Sequence, residues 1–189
     1  MNTITKVHIQ KYLFITLWLV LGSLLFVSRA SAASAQELNI KSDATLKQFI
    51  TEVSGGAEFL KKAKGVLVFP SVLKAGFGIG GEYGEGVLRI DGKTVEYYST
   101  ASASIGLQFG AQSKSIVIVF LEKKALDTFR RSDGWKAGVD GSVVVLKWGV
   151  GEDINSIEVN KPIVGFVFSN KGFMYNLTLE GSKFTKIKR

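Results

Sequence analysis

Residues 63–86, AKGVLVFPSVLKAGFGIGGEYGEG, constrain the fold more than any other part of the chain. An apolar run leads directly into a segment in which glycine alternates with apolar side chains. Side chains along a strand alternate faces, so Phe77 and Ile79 point one way while Gly76, Gly78 and Gly80 leave the other face bare. A bare face admits another backbone or a ligand at close range. For Gly76, Gly78, Gly80 and Gly81 we expect close packing inside the fold rather than a role in binding a ligand.

Ahead of this segment, Ser42 reads as an N-cap before Asp43. Leu46, Phe49, Ile50, Val53, Ala57 and Leu60 then recur at helical spacing. Ser54-Gly55-Gly56 interrupts the stripe, so the expectation is two short helices, over 43–53 and 57–64. Behind it, short strands are expected over 66–69 (ended by Pro70), 76–82 and 87–90, and Asp91-Gly92 is a two-residue hairpin signal before 94–99. Residues 101–111 are mostly small, and 116–121 are six consecutive apolar residues, as in a central strand buried on both faces. A helix over 122–131, with Ala125, Leu126 and Phe129 inward, precedes strands over 139–150, 163–169, 173–179 and 184–187. Successive strands joined by short turns predict an antiparallel meander. The expected class is α+β, mostly antiparallel β. It takes the form of a strongly curved sheet or partly closed barrel with short N-terminal helices and one short helix near 122–131.

The first residues read as a leader. Lys6 and Lys11 precede a sixteen-residue stretch, 12–27, dominated by apolar side chains, and Ala30-Ser31-Ala32 and Ala33-Ser34-Ala35 both resemble cleavage sites. This is the pattern of a secretory signal peptide, and the stretch is shorter than the roughly 20 residues of a spanning helix. The expected organisation is a signal peptide over 1–35 and a single domain over 36–189. Loss of the leader removes Lys6, Lys11 and Arg29 and no carboxylate, leaving a net charge of +5. That excess suits an anionic membrane surface as well as simple solubility.

The chemistry the chain lacks is equally informative. It has no cysteine, and its one histidine, His8, lies in the leader. A mature domain thus has neither the commonest base at neutral pH nor the usual zinc ligands nor a thiol nucleophile. Ser71-Val72-Leu73-Lys74 has the Ser-x-x-Lys spacing of penicillin-recognising enzymes. It lies between Pro70 and a glycine-rich strand rather than opening a helix, and it lacks the partner motifs. Residues 76–81 fit G-x-G-x-x-G, yet 82–86 carry two more glycines where a phosphate-binding helix should begin. Glu82, Glu85, Asp127, Asp133, Asp140, Glu152 and Asp153 are scattered with turn-like spacing, and none matches a calcium loop. No catalytic residue, cofactor or metal is expected.

AKGVLVFP, KAGFGIGG and YGEGVL resemble the opening signature of the SYLF domain. SIGLQFGAQSKSIVIVF (104–120) and FSNKGFMYNLTLEGSKF (168–184) resemble later parts of it. The resemblance runs from Thr45 to the C-terminus. It implies a lipid-binding module found in bacterial envelope proteins and in eukaryotic actin-associated proteins, with phosphoinositides as ligands of eukaryotic members. In some of those members an amphipathic helix ahead of the domain contributes, a place held here by residues 37–53.

The expected function is non-enzymatic binding of phosphatidylinositol-type or other anionic phospholipid, by an exported protein of the periplasm or cell envelope that sits peripherally on a membrane. Lys61, Lys62, Lys64 and Lys74 are the candidate headgroup contacts, since ammonium groups engage phosphate as point charges. Trp135 is the candidate interfacial anchor. The expected partner is an anionic membrane surface, with a protein partner in the envelope as the alternative and no nucleic acid. A structural or assembly protein of the envelope is the second reading. A carboxylate-dependent hydrolase is the third, and it would need two carboxyl groups about 5–9.5 Å apart in a pocket.

Overall fold

The computed structural model describes residues 33–147, 161–172, 179 and 181–189. Residues 1–32 of the expected leader, the end of the strand expected over 139–150 and most of that expected over 173–179 lie outside the described residues. Helix α1 (Ala35–Glu52) begins where the Ser34 hydroxyl accepts the Glu37 N–H at 3.1 Å. This N-cap lies eight residues before the expected one, and Ser42 is instead buried on the inner side of a helix already two turns long. The buried positions Leu38, Ser42, Thr45 and Phe49 form one stripe. Its hydroxyl residues hid it from a reading based on apolar spacing. The Thr45 hydroxyl is satisfied within the helix, donating to the Lys41 carbonyl at 2.8 Å.

The glycine break falls where expected. Gly55 adopts φ 75° and opens α2 (Gly56–Lys62). A Cβ on Gly56 would lie 2.9 Å from the Phe49 carbonyl oxygen and 3.2 Å from its ring, so this position lets the two helices touch.

The strands expected at 66–69, 76–82 and 87–90 are one strand, β1 (Gly65–Ile90). It pairs antiparallel with β2 (Lys93–Phe120) through the Asp91-Gly92 turn. Both turn residues have positive φ, 50° and 74°, as a two-residue type I′ hairpin requires. A straight strand of 26 residues would run roughly 85 Å. A domain of this size is only about 40 Å across, so the hairpin must fold on itself.

It does so at an elbow around residues 76–80. The ladder slips between Phe69 and Val72 and between Phe77 and Ile79. A Cβ on Gly76 would sit 2.5 Å from the Gly80 Cα, and one on Gly84 would sit 2.7 Å from Val72 Cγ2. The returning half of β1 thus lies directly on the outgoing half. Pro70 does not end a strand, contrary to expectation. It sits at the first slip, where the ladder is already interrupted and a missing N–H costs little, and its carbonyl accepts the Ser115 hydroxyl at 2.9 Å.

β2 is the spine of the sheet. β1 runs along one edge of it. Along the other, residues 97–101 pair with β6 (Lys183–Ile187) and residues 112–120 with β5 (Ile163–Gly172). β3 (Trp135–Lys136) extends the sheet beyond β6, and β4 (Val144–Lys147) lies beyond β5. The last pairing is parallel, a departure from the expected meander. The stretch joining β4 to β5 is far longer than a hairpin turn, which makes a crossover possible. Between β2 and β3 lies α3 (Lys123–Arg131), close to its expected bounds.

Two cores follow from strand alternation. Val117 and Val119 face outward with Val66, Val68, Val164 and Phe166, and α1 and α2 cover them. The Phe49 and Phe59 rings each meet Phe166 edge-on at 4.9 Å. Ile116 and Ile118 face the inside of the fold with Leu67, Phe69, Leu88, Tyr98 and Phe184, which α3 closes with Leu126 and Phe129. The six-residue apolar run is therefore buried on both faces, as expected. The class is α+β with a mostly antiparallel, strongly curved sheet.

Candidate functional site

The structure separates the five expected contact residues. Lys61 and Lys62 occupy the last turn of α2, and Lys64 follows at the step into β1, where its N–H donates to the Phe120 carbonyl at 2.7 Å. All three side chains are exposed. Cations at a helix C-terminus are favoured by the helix dipole. Among the described residues, no carboxylate forms an ion pair with any of the three. The cluster is thus an exposed cationic surface with no ion pair among the described residues, one turn from Glu58 on the same helix, and able to meet phosphate.

Lys74 is not at the surface. It is buried, with Nζ 3.3 Å from Glu82 Oε1, while Lys114, also buried, places Nζ 2.8 Å from Oε2 of the same carboxylate. The slip at Pro70 changes which positions of β1 face inward, and so turns Val72 and Lys74 to the interior beside Gln112 and Lys114 of β2. Glu82 arrives from the returning half of β1. Two ammonium groups therefore share one carboxylate just inside the elbow. The Lys114 contact is a charge contact lying off the direction of a hydrogen bond. Seated this way, Lys74 is 3 % exposed and turned away from the surface on which a headgroup was expected. The signal for this cluster was present in the alternation Val72-x-Lys74 and in the two-residue step from Lys114 to Ile116.

Trp135 is buried as well. Its ring lies 5.5 Å from Phe129 and 5.9 Å from Phe184, where it ties α3 to β6 rather than facing an interface.

A second ionic cluster joins β2, α3 and β6. Glu96 accepts hydrogen bonds from Arg130 at 2.9 and 3.1 Å, from Lys186 at 2.9 Å and from the Tyr98 hydroxyl at 2.9 Å. Burial alone would raise the Glu96 carboxyl, but these donors outweigh it and bring it down to about 2. Burial, with the Glu96 charge beside it, pushes the Tyr98 hydroxyl up. Nearby, Glu122, Asp140 and Trp135 line a small cleft of about 210 Å³. Asp140 there accepts the Lys136 N–H at 2.6 Å, a turn-forming role. Among the described residues no cluster could hold a metal ion, and no helix is long and apolar enough to cross a membrane.

Residues 101–189 match the family model described as Ysc84: Las17-binding protein actin regulator. No curated protein matches the chain. The matched span holds most of β2 and everything after it, including Lys114 and Trp135. Lys61, Lys62, Lys64, Lys74 and Glu82 fall outside it, although β1 pairs with β2 on both sides of the boundary.

Proposed function

From the match of residues 101–189 to that family model, we propose that the chain is a SYLF-family, non-enzymatic protein that binds anionic phospholipid, phosphatidylinositol-type headgroups among them, at a membrane surface of the cell envelope. The observation that carries this reading is the exposed run Lys61, Lys62 and Lys64, which has no carboxylate partner among the described residues. Exposed cations in a net-basic chain raise the local concentration of anions and are sensitive to salt. Export by the leader and a peripheral place in the envelope complete the proposal. Actin regulation, named in the description of the matched family, is not extended to this chain, since an exported protein meets no actin.

Cosedimentation with vesicles tests the reading. Recovery with vesicles containing phosphatidylglycerol, cardiolipin or phosphatidylinositol, and not with phosphatidylcholine alone, is the expected result. Failure to sediment with any of them contradicts it, and a protein partner in the envelope then becomes the leading reading.

A further inference from the structure

The outer face of the elbow carries a row of uncovered apolar side chains. Leu73 is 55 % exposed, Ile79 72 % and Tyr83 53 %, all on the odd-numbered face of one stretch of β1. Their exposed neighbours on that face are Ala75, Gly81, Ala101, Ala103 and Ala111. Every charged residue within 71–84 and 100–114 is Lys74, Glu82 or Lys114, and all three turn to the inside. The described outer face of the elbow therefore bears no charge at all.

Strand alternation fixes which side of the sheet this is. Val117 and Val119 of β2 point to α1 and α2, so Ala111 and Ser113, paired with Ala75 and Leu73, point to that same side. The helices cover the sheet beside Val66 and Val68, whereas Leu73, Ile79 and Tyr83 have no such cover among the described residues. The face is convex, because the two halves of β1 close on each other from the opposite side.

We propose that this convex face is where the protein seats in the interfacial region of a phospholipid bilayer; the proposal rests on the lipid-binding reading above and names the part of the chain that enters the membrane. Three features select a bilayer over a protein. The face is a ridge rather than a groove, and isolated large apolar groups set among alanines and glycine reach interfacial depth without a shaped pocket. No charged side chain stands within it among the described residues; the Glu85–Arg189 pair and the Ser71 and Ser113 hydroxyls only border its two ends. The lysines at 61, 62 and 64 lie at the other end of the ladder, roughly 35 Å away along the strand, on the helix-bearing side. A bilayer is extended enough to meet an apolar ridge and a cationic patch so far apart, and anionic lipid complements the second while acyl chains receive the first. Tyr83, whose hydroxyl donates to Glu85 at 2.7 Å, has the apolar body and polar tip that suit the boundary.

The test uses the full chain and vesicles of phosphatidylcholine with phosphatidylglycerol, some carrying brominated acyl chains. The indole introduced by Ile79→Trp should shift to shorter emission wavelength on vesicle addition and be quenched by the brominated lipid, relative to the unsubstituted protein. The doubly substituted Leu73→Asp/Ile79→Asp protein, whose changes are at exposed positions, should keep its circular dichroism and melting temperature and lose at least tenfold in vesicle partitioning. Unquenched indole, or undiminished partitioning of the double variant, overturns the seating while the unsubstituted protein still binds. No binding by the unsubstituted protein overturns the lipid reading itself, and the proposal with it.

Discussion

Gly86, on the returning half of β1, lies against the carbonyl of Val68 on the outgoing half of the same strand; a Cβ there would sit 2.2 Å from the oxygen and 2.7 Å from the Phe69 ring. The domain is thus organised by a strand that packs on itself. Backbone cannot move aside as a side-chain tip can, so Gly86→Ala should destabilise the fold by about 2–3 kcal/mol. Gly81→Ala is the control, because its Cβ would meet only the Ser102 carbonyl at an ordinary 3.7 Å. Urea unfolding should place Gly81→Ala near the unsubstituted protein and Gly86→Ala well below it.

The shared carboxylate of Glu82 predicts an asymmetry. Glu82→Gln leaves two buried ammonium groups without an anion and should cost about 3–5 kcal/mol. Lys74→Met removes one cation, leaves the Lys114–Glu82 pair intact at 2.8 Å, and should cost far less. Denaturant midpoints of the two variants check this, and equal losses would contradict the shared-carboxylate account.

Acid stability should depend on Glu96. Its folded-state carboxyl lies near 2, below the ordinary 4.5, so its contribution is fully present above about pH 4.5 and is lost as pH falls toward 2. Glu96→Gln should lower stability at pH 7 by about 2 kcal/mol, allowing for its partial exposure. It should also flatten the decline between pH 4.5 and pH 2. Unfolding midpoints measured across that range decide it.

Ser34 would tie the start of the fold to the processing of the proposed leader. A cut after Ala32 leaves Ser34 to cap α1, whereas a cut after Ala35 removes it. Ser34→Ala should cost about 1 kcal/mol, and a chain beginning at Gln36 should melt lower than one beginning at Ala33. If the leader is removed in the cell, mass spectrometry of the N-terminus should find Ala33.

Much of the local structure was legible in the residues. The Asp91-Gly92 turn, the doubly buried run at 116–121 and the helix ending in Arg131 each follow from short-range chemistry. The continuity of β1 was hidden because Pro70 and the glycines are ordinary strand breakers. Here they occupy a bulge, an elbow and the self-contact, all of which depend on partners distant in sequence. For the same reason Lys74 passed for a surface cation: the slip that turns it inward exists only once β1 has paired with β2. Lys61, Lys62 and Lys64 needed no such partner, since position at a helix end and lysine chemistry sufficed to place them at the surface.

The central claim is that this protein binds anionic phospholipid through the exposed lysines at 61, 62 and 64. Liposome flotation across a salt series, with neutral and anionic vesicles, is its most direct test. The account predicts flotation that requires anionic lipid, weakens as salt rises and falls further in a Lys61→Ala/Lys62→Ala/Lys64→Ala variant. Protein that stays at the bottom of the gradient even at low salt, or that floats equally with neutral vesicles and with the variant, would contradict it.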